Sequence, residues 1–163
     1  MQKKILIVIF LVVSLSCSRK KPVDSPVSLG KPETVVIQVD TATFREMLEG
    51  TKQYYPFDYW KEMGKNGMEQ YTVENCTKTQ KVFDILIDGL ISLGPNGIEQ
   101  QKVELFKQAV LSLNQLNSQI YGLIETGERE SLCDLVNRIT DASGLNPAKY
   151  ANGEGLADLW RDW

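Results

Sequence analysis

The sequence predicts an all-α fold, a compact helical bundle built around a long αα-hairpin. Two amphipathic runs support this prediction, one on either side of Gly94–Gly97, a turn-forming stretch that ends one helix and starts the next. A third run, from Gly127 to about Ser143, repeats apolar residues at the same spacing. Because residues three and four positions apart share one face of a helix, each run can bury one face in a common core.

The N-terminal part of the predicted domain has weaker patterns. Thr34–Val39 is β-branched and predicts either one short strand or an extended arm packed on helices. The residues from Thr43 to Glu46 fit a capping box, which predicts the start of a first helix. Pro56 begins a second, short helix that ends at Gly64.

The hairpin has the longest apolar periodicity in the chain. Thr77 caps a helix that runs from about Lys78 to Leu93. Beyond the turn, steps of three and four continue for more than five helical turns, through Val103, Phe106, Val110, Leu113, Leu116, Ile120 and Leu123/Ile124. Two such helices across a four-residue turn form an αα-hairpin.

The C-terminal third predicts one further long helix and shorter pieces. Thr126 caps the helix and Gly144 ends it. Pro147 opens a one-turn piece, and residues 152–155 form a turn. Leu156–Trp163 is predicted to be a terminal helix, whose two tryptophans form a docking face that ties the C-terminus down.

Composition and charge exclude several functional classes. The 163 residues include no histidine, which removes the commonest general base and the usual nitrogen ligand of zinc. No nucleotide-binding, hydrolase or EF-hand motif is present, so we expect neither an enzyme nor a metal or other cofactor. From Thr34 onward, 12 basic and 19 acidic residues give a net charge of −7. Such a domain repels nucleic acid and favours a basic protein partner.

The first seventeen residues, MQKKILIVIFLVVSLSC, have the order of a secretory signal: a basic start, an apolar run and small residues before Cys17. This segment resembles the signal peptide of bacterial lipoproteins, although Ser14 stands where an aliphatic residue is common. The resemblance implies removal of residues 1–16, acylation of Cys17 and a lipid-anchored protein facing the periplasm or the cell exterior. Residues 17–33, with three prolines, are then a flexible tether in front of a single helical domain, residues 34–163.

Five aromatic residues within seven positions form the first candidate contact site: Tyr54, Tyr55, Phe57, Tyr59 and Trp60. Tyrosine and tryptophan give large contact areas at low entropic cost, so the cluster suits a glycan, a small molecule or a partner's side chain. The alternative is an aromatic plug that covers one end of the bundle with its hydroxyls reaching water.

Two other features allow a functional and a structural interpretation. Glu128 and Glu130 are either an acidic contact patch or carboxylates placed favourably at the positive end of a helix dipole. Cys76 and Cys133 can form a disulfide in an oxidising envelope, or serve as two small buried hydrophobic residues.

The C-terminal portion, from about Leu113 to Trp163, contains the segments IETGERESLC and GLADLWRDW. With these segments it resembles small, acidic, helical bacterial proteins, some of which are immunity proteins of toxin systems. The resemblance implies a non-enzymatic, membrane-tethered protein that binds and neutralises a basic protein partner. The alternative function is a lipoprotein that binds a glycan or a small molecule through the Tyr54–Trp60 cluster.

Overall fold

The computed structural model describes residues 40–163, which form five α-helices joined by short turns: α1 (Thr41–Gly50), α2 (Phe57–Lys65), α3 (Val73–Leu93), α4 (Glu99–Gln119) and α5 (Thr126–Ala142). Short 3-10 turns follow α1 and α5. No β-strand occurs between residues 40 and 163, and the all-α prediction is confirmed. The predicted strand or arm at Thr34–Val39 lies outside the described residues, as do the leader, Cys17 and the tether.

The predicted αα-hairpin is present and is the most extensive helix pair of the fold, formed by α3 and α4. Gly94 ends α3 in a left-handed conformation, with φ of +73°. Its N–H donates to the carbonyls of Leu90 and Ile91, at 3.1 and 3.2 Å. A side chain with a Cβ disfavours this backbone angle, which is why glycine suits the end of the helix.

One apolar core holds the described helices together. It draws on all five helices and on the C-terminal segment, and its largest fully buried side chains are Trp60, Tyr71, Phe57, Phe83, Phe106, Leu48, Leu86, Ile87, Leu90, Leu113, Leu123 and Leu132. No helix in residues 40–163 combines the length and the apolar character needed to cross a bilayer.

Three helices start at different caps from those predicted. Asp40, and not Thr43, caps α1, and the Thr43 hydroxyl donates to the Asp40 carboxylate at 2.7 Å. Helix α3 begins five residues before Lys78, at Val73, because Thr72 accepts the N–H of Asn75 at 3.1 Å. Thr77 therefore lies inside α3, where its hydroxyl donates to the helix's own backbone. Helix α5 is capped by Glu125 rather than Thr126.

Two elements end differently from the sequence prediction. Helix α4 stops at Gln119, short of Leu123, because the Asn117 side chain accepts the N–H of Ile124 at 3.0 Å and holds the chain in a turn. The predicted terminal helix is wrong: Ala157–Leu159 forms a single 3-10 turn, and the Asn114 side chain donates to the Trp160 carbonyl at 2.8 Å. Both tryptophans nevertheless pack half-buried against the core.

Lys102 is a buried cation that joins two chain turns. It is 4% exposed, and its ammonium donates to the carbonyls of Pro95 at 3.2 Å and Ser143 at 2.7 Å. Ser143 caps the C-terminal end of α5, where the negative end of the helix dipole favours a cation. Burial lowers the pKa of this amine below its ordinary value. The side chain thus links the hairpin turn to the end of α5.

We expect Lys102→Met to lower the free energy of unfolding by about 2 kcal/mol, because the carbonyls it serves lose their charged donor while the apolar stem is kept. Chemical denaturation measures the loss. Lys107→Met is the control, because Lys107 lies on the same helix and has no carboxylate partner in residues 40–163. This control should change the free energy of unfolding by less than about 0.5 kcal/mol. Equal effects of the two substitutions would contradict the linking role of Lys102.

Candidate functional site

The structure divides the predicted aromatic cluster between the core and the surface. Phe57 and Trp60 are each 1% exposed, whereas Tyr59 is 67% exposed. Because residues 57 and 60 are one turn apart on α2, they share its inward face and Tyr59 points away. The prediction that all five rings form an exposed contact surface is therefore wrong for Phe57 and Trp60, although Phe57 also lines a pocket. The burial of these two residues agrees with the alternative interpretation, an aromatic plug that covers one end of the bundle.

Tyr55 and Phe57 line a polar pocket of about 530 Å³ between α2, α3 and the turn after α1. Its remaining lining residues are Lys52, Gln53, Asp58, Lys61 and Gln80. The Tyr55 ring packs edge-on against Phe57, with ring centroids 5.2 Å apart, and its hydroxyl donates to Asp84 at 3.1 Å. The pocket combines an aromatic wall with amide, ammonium and carboxylate groups, which suits a polar small molecule.

The two lysines of this pocket already have partners. Lys52 pairs with Glu49 at 2.7 Å, and Lys61 pairs with Asp58 at 2.9 Å. Burial, followed by the charge of Asp84 and the hydrogen bond to it, raises the pKa of Tyr55 well above the ordinary value of a phenol. Tyr55 thus stays protonated at neutral pH, and the pocket offers hydrogen-bonding groups without an unpaired cation.

Tyr54 lies in a separate groove of about 450 Å³, between α1 and α5. The Arg138 guanidinium stacks over its ring, 3.9 Å from the centroid, and also pairs with Asp134 at 2.7 Å. Glu46 and Asp141 line the same groove, and both are exposed. The stacking gives Tyr54 a structural role, because it ties the turn after α1 to α5.

The most exposed aromatic residue described is Tyr121, in the turn between α4 and α5. Its side chain is 99% exposed, while Leu123 next to the turn is fully buried. The Leu123 N–H donates to the Ile120 carbonyl at 3.2 Å, and Gly122 has a φ of +70°, as the third position of a type II turn requires. The buried neighbours therefore fix a turn that projects Tyr121 into solvent.

Three carboxylates follow Tyr121 at the start of α5. Glu125 caps the helix and Glu128 completes the capping box, accepting the Glu125 N–H at 3.3 Å, which supports the structural interpretation of Glu128. Glu130 is exposed, and none of the three forms an ion pair with a lysine or arginine in residues 40–163. Glu130 lies two residues after Glu128 and points about 200° away around α5, so the predicted patch of Glu128 and Glu130 does not form one surface. We call Tyr121, Glu125 and Glu128 the acidic corner.

Tyr71 lies between the acidic corner and the core, near Glu128 and against Trp60. Its ring packs against Trp60 with centroids 5.4 Å apart, and its buried hydroxyl has no hydrogen-bond partner among the described residues. Burial raises the pKa of Tyr71 and the nearby Glu128 raises it further. The loop before α3 also reaches the corner, since a Cβ on Gly122 would lie 3.9 Å from the Gln70 amide nitrogen.

The raised tyrosine pKa values predict a loss of stability at alkaline pH. The pKa of Tyr150 rises to about 12, through burial and its hydrogen bond to Glu99, and those of Tyr55 and Tyr71 also rise. The tyrosine hydroxyls of the unfolded chain lose their protons near pH 10, whereas the folded chain still holds them. The free energy of unfolding should therefore fall between pH 10 and 12. Urea unfolding at stepped pH measures this fall. Tyr55→Phe should make the fall in unfolding free energy shallower, whereas Tyr121→Phe should leave it unchanged.

Both cysteines are free thiols in the structure. Cys76 is buried in the core and Cys133 is half-buried. Burial is the main cause that raises the pKa of both thiols, which makes them poor nucleophiles at neutral pH. This arrangement agrees with the interpretation of two small apolar side chains. No group of three or more acidic or cysteine side chains lies close enough to hold a metal ion within residues 40–163.

Comparison with known proteins adds no relative: no family model, curated protein or solved structure matches this chain. The site residues therefore depend on the geometry alone. Sequence reasoning missed Tyr121, because the apolar periodicity continues past it to Ile124. The glycine directly after it was the available signal, since a tyrosine–glycine pair suits the centre of a type II turn.

Proposed function

We propose that this chain is a membrane-tethered, non-enzymatic binding protein of the bacterial envelope, whose acidic surface neutralises a basic protein partner in the manner of an immunity protein. The observation that supports this proposal is the acidic corner. It combines a fully exposed tyrosine with two carboxylates that have no cationic partner in the described part of the chain.

The charge distribution supports a basic partner. Of the 19 carboxylates in residues 40–163, seven lie within 4.0 Å of a lysine or arginine nitrogen, which leaves most of the acidic surface unpaired. Complementary charge speeds the encounter of two proteins, and an aromatic anchor seated in a pocket slows their separation. Tyr121 and the neighbouring carboxylates supply both effects at one place.

The tether is proposed from the sequence. The leader pattern and Cys17 support acylation, and two or more acyl chains hold a soluble domain on a membrane durably, at about 0.8 kcal/mol per buried methylene. Residues 17–33 then separate the helical domain from the bilayer without fixing its orientation. Mass spectrometry of the mature N-terminus tests this part independently of binding.

The binding proposal predicts one partner class and one surface. Immobilised protein, exposed to secreted and envelope proteins of the same cell and its neighbours at low salt, should retain a basic protein. Tyr121→Ala should weaken that complex at least tenfold, since an anchor of this kind is worth about 2 kcal/mol. Calorimetry with the purified partner measures the change.

The matched control is an exposed tyrosine elsewhere on the domain, Tyr59→Ala, which should leave the affinity within about twofold. Capture of no basic protein at micromolar concentration argues against the proposed function. Equal weakening by Tyr121→Ala and Tyr59→Ala argues against the acidic corner as the contact surface.

The polar pocket beside Tyr55 favours a second candidate function, binding of a glycan or a small molecule. Its aromatic wall and amide side chains offer the contacts that such ligands use. Trp60 packs against Phe57, which lines the pocket, with ring centroids 5.3 Å apart, so tryptophan fluorescence should report occupancy. Saturable quenching by sugars that Gln80→Ala removes and Gln115→Ala keeps would support this function over the first.

A further inference from the structure

A surface groove follows the outer side of the α3–α4 hairpin. It consists of two adjoining depressions of about 460 and 150 Å³, which share Val82 and Ser112 as lining residues. Along α4 it runs from Leu105 to Gln119, a distance of about 21 Å at the rise of an α-helix. No helix of residues 40–163 other than α3 and α4 contributes a lining residue.

The two halves of the groove differ in chemistry. The smaller half has no charged side chain, and its walls are mainly aliphatic: Val82, Ile85, Leu86, Leu105 and Ala109, with Gln108 and Ser112 at the edge. Ile85 is 59% exposed there and adds apolar surface to this half of the groove. The larger half ends in two lysines from one turn of α3, Lys78 and Lys81.

Charge sets this groove apart from the rest of the domain. No carboxylate lines it, although residues 40–163 carry a net charge of −7. Lys81 has no carboxylate within ion-pair distance among the described residues. Lys78 pairs with Glu74 at 2.7 Å, but both side chains are at least half exposed, and such a pair is weak enough to rearrange around a ligand.

We propose that this groove binds one free fatty acid, with its alkyl chain along the uncharged half and its carboxylate at Lys78 and Lys81. An apolar trough that ends in two ammonium groups complements a molecule with an apolar chain and one terminal anion. Each methylene that leaves water contributes up to about 0.8 kcal/mol. The two lysines give the bound chain one preferred direction.

The test uses the full chain and sodium dodecanoate below its micelle concentration. Titration followed by methyl NMR should shift the resonances of Val82, Ile85 and Leu116, and leave those of the buried Leu123 unchanged. Undecyl maltoside has the same eleven-carbon alkyl chain with a neutral head, and it should bind at least about fivefold more weakly if the lysines recognise the carboxylate.

Two matched pairs of variants locate the site. Ser112→Trp fills the groove where its halves meet, while Ser118→Trp places the same ring elsewhere on α4; each serine is exposed and hydrogen-bonds its own helix at 2.8 Å. Lys81→Glu and Lys107→Glu change the net charge equally, but only Lys81 lines the groove. We expect Ser112→Trp to abolish the methyl shifts and Lys81→Glu to weaken dodecanoate binding about fivefold, with both controls close to the unsubstituted chain.

Three results would each overturn the proposal. The first is the absence of methyl shifts in the groove, and the second is an equal effect of the two tryptophan substitutions. The third is equal affinity for dodecanoate and undecyl maltoside, which would describe an apolar surface suited to a partner helix rather than a fatty acid site. Because the four variants lie outside the acidic corner, none of these results depends on the proposed protein partner.

Discussion

Gly64→Ala should destabilise the fold by about 3 kcal/mol or more, although alanine is ordinarily the better helix former. A Cβ at this position would clash with the backbone carbonyl oxygen of Tyr71. That oxygen belongs to the loop between α2 and α3, which the Met68 N–H fastens to the Met63 carbonyl at 3.1 Å. Since the obstructing atom is backbone, the loop itself must move, and Tyr71 must leave its position on Trp60.

Gly50→Ala is the matched control for this substitution. Gly50 is the last residue of α1, has ordinary helical angles and has no atom within 4 Å of a built Cβ. Alanine there should raise stability by up to about 0.5 kcal/mol, because it restricts the unfolded chain. Urea unfolding of both variants gives the comparison. If the two substitutions change stability in the same direction, the close approach of the loop to α2 is wrong.

The glycine at position 64 shows what a single sequence reveals and what it hides. Its place near the end of a short helix is readable from local pattern, and α2 indeed ends one residue later, at Lys65. The reason for the glycine is not local, since it lies in a loop seven residues further along that folds back onto the helix. Sequence reasoning assigns Gly64 to the end of the helix, whereas tertiary packing is what requires a glycine there.

The helices themselves were largely predictable because amphipathic periodicity is a local property. The hairpin, its glycine turn and α5 follow from spacing alone. Helix starts were less predictable, because several Asp and Thr residues compete to cap the same turn. Asp40 precedes Thr43 and Thr72 precedes Thr77, and in each case the earlier residue is the cap. Only the fold decides how far each helix extends toward its N-terminus.

The candidate contact residues were less predictable than the helices. Glu128 and Glu130 follow from the sequence as acids at a helix start, whereas Tyr121 depends on where α4 ends. That end depends on a hydrogen bond from the backbone N–H of Ile124 to the Asn117 side chain, which periodicity does not encode. An aromatic cluster in the sequence likewise does not tell which rings face water, because the answer depends on the rotation of α2.

Trp60→Ala should cost about 3–5 kcal/mol of unfolding free energy, the range for removal of a large aromatic residue from a core. Trp60 is 1% exposed and packs edge-on against Phe57, with ring centroids 5.3 Å apart, as well as on Tyr71. Its loss opens a cavity that these rigid rings cannot fill. Because domains of this size are stable by only about 5–15 kcal/mol, the variant should be partly unfolded or melt far below the unsubstituted chain.

Tyr59→Ala is the matched control, one residue away on the same helix but 67% exposed, and it should change stability by less than about 0.5 kcal/mol. Thermal unfolding by circular dichroism compares the two. A binding assay gives the complementary result. A residue that only packs in the core changes the apparent affinity only by changing the fraction of folded protein. If Trp60→Ala folds normally and loses a partner or a sugar, the ring is a contact residue, and the position of α2 described here is wrong.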